Sequence, residues 1–257
     1  MSVLNYEVVN RVAWITLNRP EKRNALSVAL IESLGEAFKM ANENESVRVI
    51  VLKSADKPFC AGADLAYLTE LRQNSLEENL ADSQRLRRMF DAIYHSSKLV
   101  ISQVEGAALA GGCGLATLAD ICVATPQAQF GYTEVKIGFI PALVMVYMRE
   151  RVAGWVMRDL LLTGRVIDAT EAMRMGLVQY VVAESEVSGF VEGLARGCAE
   201  GTSGAALAQV KQMLREIPAM SRDQALDYAA GMNAHARATQ DCIKGMDAFL
   251  NKQKLTW

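Results

Sequence analysis

Three small residues, Ala110, Gly111 and Gly112, stand where a predicted strand gives way to a predicted helix. The strand covers the β-branched run Val100 to Val104, and the apolar segment Leu115 to Ala119 follows the small residues. Without long side chains, a ligand can reach the backbone at this corner, and the first N–H groups of a helix have no intrahelical partner. The pattern therefore predicts a binding site for an oxygen that carries negative charge.

Two other interpretations of this corner start from the same glycines. Glycine also occurs where two elements simply pack closely, and the residues alone leave that alternative open. Dinucleotide binding fits poorly, because a G-x-G-x-x-G pattern that starts at Gly112 has Gly114 second and Thr117 in place of the third glycine. A G-x-x-x-x-G-K-[ST] phosphate loop does not occur in the sequence.

A second loop of small residues repeats the arrangement earlier in the chain. The continuous apolar run Val47 to Leu52 predicts a buried strand, and Lys57 to Leu65, with the sequence KPFCAGADL, follows it. Consecutive units of strand, loop and helix are typical of a parallel sheet with crossover connections. We therefore expect the two loops to lie at the same edge of the sheet.

Composition limits the classes of protein to consider. The chain has 257 residues, of which 51% are hydrophobic, enough for one large domain or one and a half. Its formal charge of -2 and pI near 5.8 argue against a nucleic-acid surface. The N-terminus lacks a basic segment followed by an apolar run, and no stretch has the length of a membrane span. The prediction is a cytoplasmic protein without a membrane or nucleic-acid partner.

The cysteines give no sign of a metal site or a disulfide framework. They are odd in number and widely spaced, and they form no C-x-x-C pair. Their positions are Cys60, Cys113, Cys122, Cys198 and Cys242. We expect them to be reduced and buried, and we expect no bound metal.

The remaining elements predict an α/β body followed by a helical tail. Tyr6 to Val9 and Val12 to Leu17 indicate a hairpin, and Ser27 is a candidate N-cap for an amphipathic helix. The charged segment 72–89 favours a solvated helix over a mobile flap. We predict a core at residues 1–195 and a helical region at residues 196–257. This helical region would pack on another subunit or on the body of its own chain.

These motifs, taken in order, resemble the crotonase superfamily, the enoyl-CoA hydratase and isomerase family. The segments that carry the resemblance are NRPEKRNAL (18–26), FCAGADL (59–65), GAALAGGCGLATLADI (106–121), FGYTEVKIGFIP (130–141), LLLTG (160–164), EAMRMGLV (171–178) and GMDAFLNK (245–252). The resemblance implies a spiral of ββα units with a C-terminal helical region used in trimerisation, as a homotrimer or a dimer of trimers. It also implies an acyl-CoA thioester substrate, with coenzyme A as part of the substrate and no separate cofactor.

The resemblance further implies roles for individual residues. The backbone N–H groups of Ala63 and Gly111 would form an oxyanion hole for the thioester enolate. The positions implied in coenzyme A binding are Lys22, Arg23, Ala25, Ala61, Asp64, Leu65, Phe249 and Lys252. The cations among them would donate charge-assisted hydrogen bonds to phosphates.

The sequence departs from the family pattern at the acid and base. Hydratases of the family use two glutamates; the second aligns with Glu134, but the first aligns with Gly114, which we expect beside the substrate. After Pro141, the segment 142–145 has the sequence ALVM where a glycine-rich turn is usual. A single carboxylate suffices to move a double bond from the 3,4 to the 2,3 position of an acyl-CoA, so the residues favour an isomerase.

Three alternatives stay open at this point. A hydratase would need an acid from elsewhere or from its substrate, as in methylglutaconyl-CoA, which carries a free carboxylate. A non-catalytic relative would bind only acyl-CoA or, against the acidic pI, RNA. A serine protease is set aside, since His95 and His235 lie in no recognisable catalytic context.

Overall fold

The computed structural model describes residues 2–257, which form two sheets surrounded by helices. The strands are β1 (Leu4–Val9), β2 (Val12–Leu17), β3 (Val49–Ser54), β4 (Leu99–Val104), β5 (Ala107–Leu109), β6 (Ile121–Ala124), β7 (Gln129–Gly131), β8 (Ile167–Asp168) and β9 (Tyr180–Val181). The helices are α1 (Val28–Glu43), α2 (Leu65–Leu71), α3 (Leu76–Tyr94), α4 (Gly111–Thr117), α5 (Ala142–Met148), α6 (Gly154–Thr163), α7 (Ala169–Arg174), α8 (Val187–Gly201), α9 (Gly204–Glu216), α10 (Arg222–Arg237) and α11 (Gln240–Leu250).

The large sheet has the strand order β1-β2-β3-β4-β6-β9. Its first two strands form the predicted hairpin, although β1 begins at Leu4 and not at Tyr6. From β2 to β9 the strands run parallel, so each connection crosses over the sheet. The buried strand predicted at Val47 begins at Val49, two residues later.

Successive turns of the chain add one strand to each sheet. After β4 the chain enters the small sheet as β5, and after β6 it enters the small sheet as β7; the order there is β5-β7-β8. β5 and β7 run parallel to each other, as do β4 and β6. The result is a two-layer spiral, in agreement with the expected mixed α/β class.

Both faces of the large sheet are buried, and β3 shows why its sequence is apolar throughout. Ile50 and Leu52 point to the core that includes α1, while Val49 and Val51 point to a second core on the opposite face. α8 covers that second core with alanine and valine side chains such as Val191. The predicted boundary between residues 195 and 196 thus falls inside a helix that is packed on the body.

Helices follow Glu186 as the sequence predicts. The charged segment 72–89 is also helical in most of its length, because a capping box of Ser75 and Glu78 begins α3 there. α3 keeps most of its surface exposed, as expected for a solvated helix. Over the part of the chain that the structure describes, no helix is both long enough and apolar enough to cross a membrane.

Candidate active site

Three loops that follow strands of the large sheet lie side by side. We call them loop 1 (residues 18–27), loop 2 (residues 55–64) and loop 3 (residues 105–111, which contains β5). Loops 2 and 3 are joined by hydrogen bonds from Cys60 N to Ala107 O (3.0 Å) and from Leu109 N to Cys60 O (2.9 Å). The sequence prediction that these two loops meet at one edge is therefore confirmed.

Loop 2 presents a free backbone N–H at Ala63. Leu26 of loop 1 bonds to the residues on either side: Leu26 N donates to Gly62 O (2.7 Å), and Asp64 N donates to Leu26 O (2.9 Å). In such a parallel bridge the central residue points its own N–H away from the partner chain. The Ala63 N–H consequently has no acceptor among residues 2–257.

Loop 3 presents a second free donor where α4 begins. Gly111 is the first residue of α4, so its N–H has no intrahelical acceptor, and none is found elsewhere in the described chain. The Ala110 carbonyl accepts from Cys113 N (2.9 Å) and Gly114 N (3.2 Å), which fixes the first turn. Loops 2 and 3 are bonded to each other, so both donors belong to one rigid unit.

This unit is tightly packed and locally strained. Ala110 has φ 50° and ψ -128°, a region that costs a residue with a side chain on the order of 1–3 kcal/mol. A Cβ on Gly62 would lie 3.0 Å from the Cβ of Ala110, and a Cβ on Gly112 would lie 2.3 Å from the Cys60 carbonyl oxygen. Close packing therefore explains the absence of a side chain at Gly112.

Glu134 lies near α4 with one carboxylate oxygen unpaired. It begins a short 3₁₀ turn (Glu134–Ile137), which Phe139 N closes by donating to the Glu134 carbonyl (3.1 Å). Its Oε2 is buried and has no hydrogen-bond partner, and burial raises the pKa of the carboxyl group. Burial and, to a smaller extent, the Glu134 charge raise the pKa of the Cys113 thiol, so the carboxylate lies within electrostatic range of α4.

The position aligned with the missing glutamate is filled by an apolar side chain. Gly114 follows Gly111 by one helical turn and shares its face of α4. A Cβ on Gly114 would lie 2.2 Å from Val144 Cγ1 and 3.6 Å from Phe90 Cζ. Val144 is 5% exposed and comes from α5, in the segment where the sequence also departs from the family pattern. The two departures are thus in contact.

Known proteins resemble this chain over nearly its whole length. A sequence profile described as enoyl-CoA hydratase/isomerase matches residues 7–257. The chain belongs to the enoyl-CoA hydratase/isomerase family. A crotonyl-CoA hydratase of Syntrophomonas wolfei subsp. wolfei is 34% identical over 251 residues, which are 96% of this chain and 95% of that protein.

Solved structures show the same fold. The crystal structure of an enoyl-CoA hydratase from Mycobacterium smegmatis has a TM-score of 0.91 at 32% identity, covering 99% of this chain and 98% of that chain. The crystal structure of an enoyl-CoA hydratase from Shewanella pealeana has a TM-score of 0.94 at 27% identity, covering 99% of this chain and 96% of that chain. The crotonase-type fold expected from the sequence is confirmed.

In this family member, loop 1 exposes two of the expected coenzyme A contacts. Lys22 and Arg23 are exposed, whereas Ala25 is buried beneath them. Asn24, which the sequence analysis did not single out, braces the loop: its Oδ1 accepts from Arg19 N (2.8 Å) and its Nδ2 donates to Pro58 O (3.0 Å). Its φ of 51° is a left-handed conformation that asparagine tolerates.

Asp64 is held in an ion pair that the sequence analysis also missed. Arg19 Nη2 donates to Asp64 Oδ2 (2.9 Å), and Asp64 Oδ1 caps α2 by accepting from Ala66 N (2.9 Å). Burial opposes ionisation, but the hydrogen bonds from Arg19 and Ala66 lower the pKa of the Asp64 carboxyl group. Asp64 therefore stiffens loop 2 as a group that is ionised at neutral pH. Its neighbours Ala61 and Leu65 are partly and fully exposed, respectively.

Phe249 lies near the end of α11 and Lys252 follows this helix, which is anchored far from loop 1 within one chain. The chain end after α11 is fixed by hydrogen bonds from Trp257 N to Glu200 O (3.0 Å) and from the Arg11 guanidinium to Trp257 O. Arg11 is in the hairpin turn, and the six residues of β2, about 20 Å in length, separate this turn from loop 1. Phe249 is 83% exposed and Lys252 is also exposed, so neither is brought to the loops by its own chain.

The buried cysteines do not supply a nucleophile. Burial raises the pKa of Cys60 to about 12 and of Cys122 to about 11, so both thiols are protonated near neutral pH. Across residues 2–257, no three His, Cys, Asp or Glu side chains are placed to share a metal ion. The expectation of a site that works without metal stays a prediction.

Proposed function

We propose that this enzyme moves the double bond of a 3-enoyl-CoA to the 2,3 position, with Glu134 as the only acid and base. The observation that carries the proposal is the contact between Gly114 and Val144. It puts a methyl group where hydration would need a second carboxylate. Among the described residues, Glu134 remains as a carboxylate near α4 whose Oε2 is buried without a hydrogen-bond partner.

The proposed reaction needs no group besides those already described. Glu134 removes a proton from the α-carbon, and the electrons move through the carbonyl group onto the thioester oxygen. The resulting dienolate then takes a proton from the Glu134 carboxyl group at the γ-carbon, so that Glu134 is regenerated as a carboxylate. A raised pKa suits this role, because the group must first accept and then return a proton.

The N–H groups of Ala63 and Gly111 would stabilise the oxyanion. Both are free donors on bonded loops, and the strained Ala110 holds the second one in place. Removal of one such donor in enzymes of this kind typically costs about 10²- to 10³-fold in rate. Because these donors are backbone groups, the shape of loops 2 and 3 matters more to this role than their side chains.

Coenzyme A would lie along loops 1 and 2. Lys22 and Arg23 are exposed cations suited to phosphate groups, and Ala25, Ala61 and Leu65 would line the path of the cofactor moiety. Asp64 would support this path through its pair with Arg19.

Phe249 and Lys252 would reach a second copy of the chain, because their own loop 1 lies at the opposite end of β2. This supports the homotrimer, alone or as a dimer of trimers, that the sequence predicts. The predicted cytoplasmic location and the lack of a cofactor other than substrate coenzyme A stay predictions.

Hydration is the second candidate, favoured by the name of the Syntrophomonas relative, a crotonyl-CoA hydratase. It would require an acid outside position 114. The two reactions are separated by offering 3-enoyl-CoA and 2-enoyl-CoA to the same preparation and identifying the products.

The decisive experiment compares the wild type with Glu134→Gln and with the exposed control Glu192→Gln. We expect the wild type to exchange the α-proton in deuterated water and to form 2-enoyl-CoA. Glu134→Gln should lose both activities, and Glu192→Gln should keep them. Formation of a 3-hydroxyacyl-CoA as the main product would support hydration instead. Lack of both exchange and product formation by the wild type would leave only acyl-CoA binding.

A further inference from the structure

A cavity of about 410 Å³ runs along α4, starting one turn beyond the Gly111 donor. Gly114 and Leu118 line it on the α4 side, and Asp120 marks the point where it passes the end of this helix. α5 and α9 close the other sides. Its volume lies in the range of small-molecule sites, which are usually apolar with a few convergent polar groups.

The walls of the cavity change character along its length. At the end near Gly114 they are apolar, with Val144, Leu118 and Met148. At the end near Asp120 they carry three cations, Arg151, Lys211 and Arg215. Since Gly111 and Gly114 share one face of α4, an acyl chain whose carbonyl is bound at Gly111 would enter the apolar end first.

The carboxylates at the polar end are already occupied. Asp120 Oδ2 accepts from Lys211 Nζ (2.5 Å) and from Val100 N (2.7 Å). Glu150 accepts from the Tyr94 hydroxyl group. Neither Arg151 nor Arg215 has a carboxylate within 4.0 Å among the described residues. Two guanidinium groups therefore line the cavity without an anionic partner.

The cations also repel one another. Burial lowers the pKa of Lys211, and the positive charges of Arg215 and Arg151 lower it further, which indicates that all three lie within electrostatic range. Arg151 donates from Nη2 to the Asp120 carbonyl (2.9 Å), but its Nε is buried without an acceptor. A buried donor of this kind is costly unless an acceptor completes it. An anion in the cavity would reduce the repulsion among the three cations.

We propose that the cavity takes the distal end of the acyl chain and that Arg151 and Arg215 bind a terminal carboxylate there. The preferred substrates would then be acyl-CoA thioesters of dicarboxylic acids. This inference rests on the proposed function, because it places the thioester at the Gly111 donor.

The structure also sets a minimum length for the chain. From Gly111 to Leu118 the helix rises about 10 Å. Three consecutive backbone bonds span about 3.8 Å, so an acyl chain needs roughly eight to ten carbons to pass Leu118 and approach the cations. Val144 lies at the apolar end, next to Gly114.

The test compares dicarboxylic and monocarboxylic 3-enoyl-CoA thioesters of equal length, with kcat/KM as the readout. We expect the wild type to prefer the dicarboxylic substrate by about tenfold or more, since charge-assisted hydrogen bonds are the strong ones. Arg215→Gln should remove most of this preference and leave the monocarboxylic substrate within about twofold. Arg149→Gln, which removes an exposed cation outside the cavity, is the matched control and should change neither value.

Binding separates a failure of this inference from a failure of the proposed function. Kd values of the saturated dicarboxylic and monocarboxylic thioesters, measured by calorimetry, need no chemistry. A dicarboxylic preference that Arg215→Gln abolishes would support the cavity assignment even without isomerisation. Equal Kd and kcat/KM values for the two classes, or the same loss in Arg149→Gln, would overturn it. Arg151→Lys keeps the positive charge and serves as the control for a folding defect. It should retain part of the preference for dicarboxylic thioesters.

Discussion

The contact between Gly114 and Val144 predicts that their substitutions are strongly coupled in stability. A Cβ added at Gly114 would lie 2.2 Å from Val144 Cγ1, well inside van der Waals distance. Both residues are buried, so the clash cannot be relieved into solvent. We consider the single variants Gly114→Ala and Val144→Ala and the double variant.

The magnitudes follow from the groups gained and lost. Val144→Ala removes two buried carbons and leaves a cavity, which should lower the free energy of unfolding by about 2–3 kcal/mol. Gly114→Ala inserts a methyl group into a filled space at a cost of about 1–3 kcal/mol, partly offset by about 1 kcal/mol of better helix propensity. In the double variant the new Cβ occupies the space vacated by Cγ1. Its stability should therefore be higher than that of Val144→Ala alone, with a favourable coupling of about 1 kcal/mol or more.

Urea unfolding of the four proteins, at one protein concentration so that association is constant, measures this cycle. The reasoning is refuted if the effects add within about 0.5 kcal/mol, because the two groups would then not share the same space. The same proteins test the proposed reaction. Val144→Ala should increase the hydrated fraction of product, since it opens room for water next to Gly114.

Three further predictions concern Glu134, Gly112 and Asp64. The rate of double-bond migration should fall as the pH drops through a pKa above the usual range of Glu134, because burial raises that pKa and the base must be ionised; a pH–rate profile checks this. The same shift makes deprotonation of Glu134 slightly destabilising as the pH rises, since the folded chain holds this proton more tightly. Gly112→Ala should lower the unfolding free energy by about 3 kcal/mol or more, because its Cβ would meet the backbone oxygen of Cys60 at 2.3 Å, and thermal unfolding measures this. Asp64→Asn should lower the unfolding free energy by about 1–3 kcal/mol at neutral pH, because it breaks the ion pair with Arg19. Since the pKa of Asp64 is lowered in the folded chain, this difference in unfolding free energy should vanish as the pH falls through that pKa.

The pattern of apolar and small residues was sufficient to predict the strands and loops that hold the site. The continuous apolar runs of β3 and β4 are readable because both of their faces are buried, and the breaks that follow them are small residues that fix loops 2 and 3. Their meeting at one edge follows from parallel strands joined by crossovers.

Contacts between distant segments were beyond the reach of pattern. Arg19 and Asp64 are 45 positions apart, and each alone reads as an ordinary surface charge. Val144 was visible as an apolar residue, but its position over Gly114 depends on the direction in which α5 leaves Pro141. The polar end of the cavity is more remote still, since Asp120 and Lys211 are 91 positions apart.

Two glycines of α4, Gly112 and Gly114, differ in the groups that surround them. Gly112 faces the backbone of loop 2, so no change of side chain elsewhere can make room for a larger residue. Gly114 faces only side chains, and the one that blocks it, Val144, comes from a segment that departs from the family pattern too. Position 114 is thus free to hold a longer residue when position 144 is small, and the absence of a carboxylate there is compensated by packing. Under the proposed function, the methyl group of Val144 next to Gly114 suits a pocket that works with Glu134 alone.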